Sequence, residues 1–105
     1  MPSPHNSILC LVVSLTLVPT AAEAQDAHAR ARALFGQGVD AMDANNPAAA
    51  VTYFEQSYTS YARASTACNL ALALERTARG CEAVRWYQQC AALDSQGAHR
   101  DQANA

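Results

Sequence analysis

Three cysteines and a histidine beyond residue 24, Cys68, Cys81, Cys90 and His99, are the donor types that bind zinc. Tight zinc sites usually hold two of their cysteines in a Cys-x2-4-Cys pair, whereas these three are separated by 13 and 9 positions. Catalysis needs a nucleophile with a base in reach. His28 and His99 lie near opposite ends of the region beyond residue 24, with no serine, cysteine or acid spaced to complete such a pair. The expectation is therefore no enzyme, no cofactor and no metal. What is left is the chemistry of thiols with one another, which depends on compartment and on the elements that hold the sulfurs.

Compartment is read from the start of the chain. Ile8 to Val18 is an uncharged apolar run, followed by Pro19 and by Ala22-Glu23-Ala24, a small-x-small site fitting cleavage before Gln25. Residues 1–24 are read as an export signal, although no Lys or Arg precedes the run. At ~1.5 Å per residue the run spans roughly 17 Å, too short for a hydrocarbon core of about 30 Å, so no membrane span is expected. Export to the periplasm or beyond puts the remaining cysteines where disulfides persist.

Beyond the signal the chain keeps all seven arginines, has no lysine and ends near neutrality. Charges alternate in sign along the helices, so there is no basic stripe for nucleic acid. Alanine dominates, giving strong helix propensity and little burial per residue, so a few large side chains must supply the core.

Periodicity predicts four helices. The first runs from Asp26 to about Asp43, with Leu34, Gly38, Ala41 and Met42 on one face. Asn46 and Pro47 suit the cap and first position of a second, which carries Val51, Phe54, Tyr58 and Tyr61. Ser65 is the expected cap of a third, with Ala67, Leu70, Ala71, Leu74 and Ala78 inward and Gly80 ending it in the left-handed conformation. The fourth is expected from about Cys81 to Leu93, with Ala83, Val84, Tyr87, Cys90 and Ala91 inward, Trp86 near the outer side and Ser95-Gln96-Gly97 closing it. Residues 97–105 are expected as a short polar tail or an incomplete capping helix.

The two halves repeat. Residues 31–63 laid over 64–96, an offset of 33, match Gly38 with Ala71, Ala41 with Leu74, Ala50 with Ala83, Val51 with Val84, Phe54 with Tyr87 and Ser57 with Cys90. Such a period means one helical hairpin that buries its apolar face against its copy. With Leu34, Gly38, Ala50 and Phe54 in the first copy, and Ala71, Leu74, Ala83 and Tyr87 in the second, the chain resembles the tetratricopeptide repeat, and exported bacterial members in particular. It departs from the family in having Asn45 and Ala78 where the intra-repeat turn usually has glycine. It also lacks the proline at each repeat end and stops where a solvating helix is usual.

The resemblance implies an all-α fold of two stacked antiparallel hairpins and a groove lined by the first helix of each repeat, holding a peptide or partner helix. Carried over by position, the groove is Arg32, Phe35, Val39, Met42 and Asp43, then Ser65, Cys68, Leu72, Glu75 and Arg76. Asn69 matches an asparagine that grips a terminal carboxylate in some members, but Phe35 and Val39 replace its usual polar partners, so a structural role is expected. The implied function is a non-catalytic interaction module of the cell envelope with a protein or peptide partner. The alternative is self-assembly into a homo-oligomer through an uncapped C-terminal end.

Three exported cysteines are an odd number. Cys81 and Cys90 share one helix, and Cys68 and Cys81 lie at opposite ends of a hairpin arm, so neither pair can bridge. Cys68 and Cys90 sit at equal distances from Arg79 in the turn, hence at one height on antiparallel helices. Two outcomes stay open. Either these two form an intramolecular bridge, or Cys90 remains free on an uncovered apolar patch and pairs two chains.

Overall fold

The computed structural model describes residues 18–103, with side chains through residue 97. The apolar run from Ile8 lies outside the described residues except for Val18, as does Cys10. The secondary structure among the described residues is all helical: α1 Ala21–Asp43, α2 Pro47–Ser60, α3 Ala64–Arg76 and α4 Gly80–Ala103. Consecutive helices pack together, α1 on α2, α2 on α3 and α3 on α4. No helix among the described residues is long and apolar enough to cross a membrane.

α1 begins five residues earlier than Asp26, because Thr20 and Glu23 form a capping box. Thr20 Oγ1 accepts from the Glu23 amide at 3.3 Å and Glu23 Oε2 accepts from the Thr20 amide at 3.1 Å. Two otherwise unpaired donors are thereby satisfied. Asn46 caps α2 as its sequence predicts, its Oδ1 accepting from the Ala49 amide at 3.2 Å, with Pro47 at the first helical position. Ser65 does not cap α3. The helix starts at Ala64, after Arg63, with no side-chain cap.

Both intra-hairpin turns use the same device. Asn45 and Ala78, 33 residues apart, are the described non-glycine residues with positive φ, 57° and 60°. In the first turn the Asn46 amide donates to the Ala41 carbonyl at 2.8 Å and the Asn45 amide to Met42 at 3.0 Å. In the second, Arg79 donates to Leu74 at 2.9 Å and Ala78 to Glu75 at 3.1 Å. This paired pattern closes a helix through one left-handed residue. Gly80 was the expected stop, but the left-handed position falls two residues earlier, on Ala78, and Gly80 opens α4.

The core is Ala50, Val51, Phe54, Leu70, Ala71, Ala73, Leu74 and Ala83, with Phe35, Val39, Ala41, Met42 and Trp86 packed against it. Phe54, Leu70 and Leu74 are fully buried, each contributing roughly 1.5–3 kcal/mol of transfer free energy. Ala50 and Ala83 are buried as well, methyl groups lying where helix must approach helix. In α1 the buried residues are Ala31 and Gly38, while Leu34 stays half-exposed.

α4 departs most from expectation. Its buried residues are Ala83 and Cys90, and Trp86, one turn from each, is half-buried against the core. Val84, Tyr87 and Ala91 are exposed. The stripe on α4 is thus 83, 86, 90 rather than 83, 84, 87, and Trp86 belongs to it because steps of three and four share a face. Nor do Ser95-Gln96-Gly97 close the helix. Gly97 keeps a negative φ, and α4 continues to Ala103, past the level at which α3 begins. Glycine ends a helix only where the backbone turns left-handed, and nothing here turns it.

Candidate functional site

The residues assigned to the groove lie on two helical stripes. On α1, Phe35, Val39 and Met42 follow steps of four and three; on α3, Cys68, Leu72 and Glu75 repeat them 33 residues later. Phe35, Val39 and Met42 are half-buried and rest on the core, the Phe35 ring tilted against Phe54 with centroids 5.5 Å apart. Leu72 is also half-buried, while Arg32, Asp43, Ser65, Glu75 and Arg76 are exposed. None of the ten is fully buried.

Two of these residues have partners of their own. Cys68 is joined to Cys90 by a disulfide across α3 and α4, with Cα atoms 5.1 Å apart. That bond removes two thiolates from the conceivable zinc set and leaves Cys81 as the free, exposed cysteine among the described residues. Glu75 accepts a 3.0 Å hydrogen bond from the Tyr87 hydroxyl of α4. Loss of hydration and that carboxylate together hold the Tyr87 phenol above its ordinary titration range.

Asn69 does not reach a neighbouring helix. Its Nδ2 donates at 2.8 Å to the Ser65 carbonyl one turn back in α3, a local bond typical of short polar side chains. At the start of α4 the Arg79 guanidinium makes two hydrogen bonds to the Glu82 carboxylate, at 2.9 and 2.7 Å. They raise the Arg79 pKa and lower that of Glu82. Both side chains are in water, so the pair does little for stability.

A feature that sequence reading missed lies between α2 and α4. Trp86 meets Tyr58 edge to face, with centroids 4.8 Å apart, and Gln89 Nε2 donates to the Tyr58 hydroxyl at 3.0 Å. Arg85 lies 5.6 Å from the centre of the Trp86 ring, and the four side chains line a shallow recess of about 250 Å³. The i, i+3, i+7 spacing of Ala83, Trp86 and Cys90 is compatible with it, but the spacing of the stripe through Val84 and Tyr87 is equally compatible with its absence.

Compared with protein-family models, with curated proteins and with solved structures, the chain matches none.

Proposed function

We propose that this chain is a non-catalytic protein–protein interaction module of the cell envelope, made of two tetratricopeptide-like hairpins at about 31–63 and 64–96 and exported by cleavage near Ala24. The α1 and α3 stripes receive a peptide or a partner helix. The reading rests on one observation: Phe35, Val39, Met42 and Leu72 remain only half-buried on the corresponding face of each hairpin's first helix. The opposite face of α3, with Leu70 and Ala73, is in the core. Apolar surface flanked by Arg32, Asp43, Glu75 and Arg76 suits an amphipathic peptide, whose apolar anchors are buried and whose polar groups remain at the rim.

The test is selection of peptides from a random displayed library on the purified protein, with affinities then measured by calorimetry. Enriched peptides should share apolar anchors, and Leu72→Arg should weaken them by about tenfold or more, as burial of a charge in an apolar contact demands. Phe35→Arg should do the same, with thermal melting checked because Phe35 touches Phe54. Absence of any saturable ligand, or indifference to both substitutions, overturns the reading. Self-association that is lost with these substitutions, in place of peptide binding, favours assembly instead.

A further inference from the structure

The repeat itself sets apart a second exposed surface, beside the groove residues. Comparing each α2 residue with its α4 counterpart 33 positions on separates two faces. On the first, burial is preserved: Ala50 and Ala83 are both buried, as are Ser57 and Cys90. This face looks into its own hairpin, since Ser57 Oγ donates at 2.7 Å to the Ala31 carbonyl of α1 and Cys90 is bonded to Cys68 of α3. On the second face burial is lost. Val51 is 4% exposed and Val84 56%; Phe54, held by Gly38 and Phe35 of its own hairpin, is fully buried, whereas Tyr87 is 39% exposed.

The same comparison between the first helices shows which residues α3 buries and α1 does not. Thr66, Leu70 and Ala73 of α3, at i, i+4 and i+7, are buried, whereas their α1 counterparts Ala33, Gln37 and Asp40 are exposed. Among the described residues α3 has a preceding hairpin to lie on and α1 has none, and this difference in burial assigns the stripe to the contact of α3 with α2. The cover that fits is a helix with a hydroxyl or methyl, a leucine and a methyl at steps of four and three. A second copy stacked head to tail would instead bring Gln37 and Asp40 onto Val84 and Tyr87, desolvating a carboxylate against apolar side chains.

We infer that the outer face of α4, formed by Val84, Tyr87 and Ala91, docks an amphipathic helix of a partner protein bearing a small-apolar stripe like Thr66-Leu70-Ala73. The surface adjoins the α3 stripe at the Tyr87–Glu75 hydrogen bond but shares no residue with it, so substitutions at Val84 and at Leu72 test the two surfaces separately.

The probe is a synthetic peptide of residues 64–76, stapled between the positions of Cys68 and Leu72 on the side away from the stripe, titrated into the purified protein and followed by amide chemical shifts. Saturable shifts centred on Val84, Tyr87 and Ala91 are expected, weakened by about tenfold or more by Val84→Glu and by Leu70→Asp in the peptide, and unaffected by Leu72→Arg in the protein. Val84 is exposed, so Val84→Glu should leave the fold intact, which the unperturbed spectrum verifies. No saturable shifts, binding insensitive to Val84→Glu, or shifts centred on the groove overturn the proposal. So does a dimer of the unliganded protein, seen by sedimentation equilibrium and abolished by Val84→Glu, because the face then belongs to a second copy.

Discussion

The Phe54 ring lies directly over Gly38, so close that a Cβ on residue 38 would sit 2.5 to 2.9 Å from three ring carbons. Glycine inside a helix normally weakens it by about 1 kcal/mol relative to alanine. Here it is the only residue that leaves α1 and α2 at their observed approach. Gly38→Ala should therefore destabilise the protein by about 1–3 kcal/mol, the range for overpacking. Gly36 has open space where its Cβ would be, so Gly36→Ala should stabilise by about 0.5–1 kcal/mol. Urea melts of the two variants should move in opposite directions.

Ala78 holds a φ of 60° that its Cβ disfavours. A left-handed alanine costs roughly 1–2 kcal/mol, and glycine relieves this at some expense in unfolded-state entropy. Ala78→Gly should raise the urea midpoint by the equivalent of about 1 kcal/mol. Asn45→Gly in the matching turn should gain less, because asparagine tolerates that conformation.

The disulfide closes a loop with a sequence separation of 22 between Cys68 and Cys90. Chain-entropy arguments assign such a loop about 3 kcal/mol, and each kcal/mol moves the melting temperature by roughly 4–8 °C in a domain of this size. Reduction, or a paired Cys68→Ser and Cys90→Ser variant, should lower Tm by ten degrees or more on that scale. In the folded, oxidised protein Cys81 should react with a thiol reagent while Cys68 and Cys90 do not, and peptide mapping should recover them linked.

Tyr87 should report on Glu75. Its pKa is raised in the folded protein, by loss of hydration first and by the carboxylate second. A raised pKa contributes stability that is present below the unfolded value, near 10, and is lost as pH rises through the folded value. Stability should thus fall more steeply above that pH in the parent protein than in Tyr87→Phe. Ultraviolet titration of Glu75→Gln should show one tyrosine shifting toward its ordinary range.

How far the sequence alone determined this protein can be judged helix by helix. Helical class, the turns at residues 43–47 and 76–80, the Asn46-Pro47 start of α2 and the offset of 33 were all legible, because caps and periodicity are local properties of the chain. The same arithmetic put Cys68 and Cys90 at one height on antiparallel helices, but not which outcome they took; their bond depends on the facing of α3 and α4, which only packing fixes. The rotation of α4 was decided the same way. Ala83, Val84, Trp86 and Tyr87 offer two overlapping apolar stripes, and local spacing does not rank them; contact with Tyr58 and the core selects the one through Trp86. The start of α1 was missed because Thr20 and Glu23 sit among residues that also fit a cleavage site, and the extent of α4 because Gly97 acts as a breaker only when φ turns positive. Exposure of Val84 and Tyr87 was likewise invisible in the repeat. Two matching patterns differ in burial when one has a following helix packed on it and the other, among the described residues, does not, and that is a property of the assembled fold.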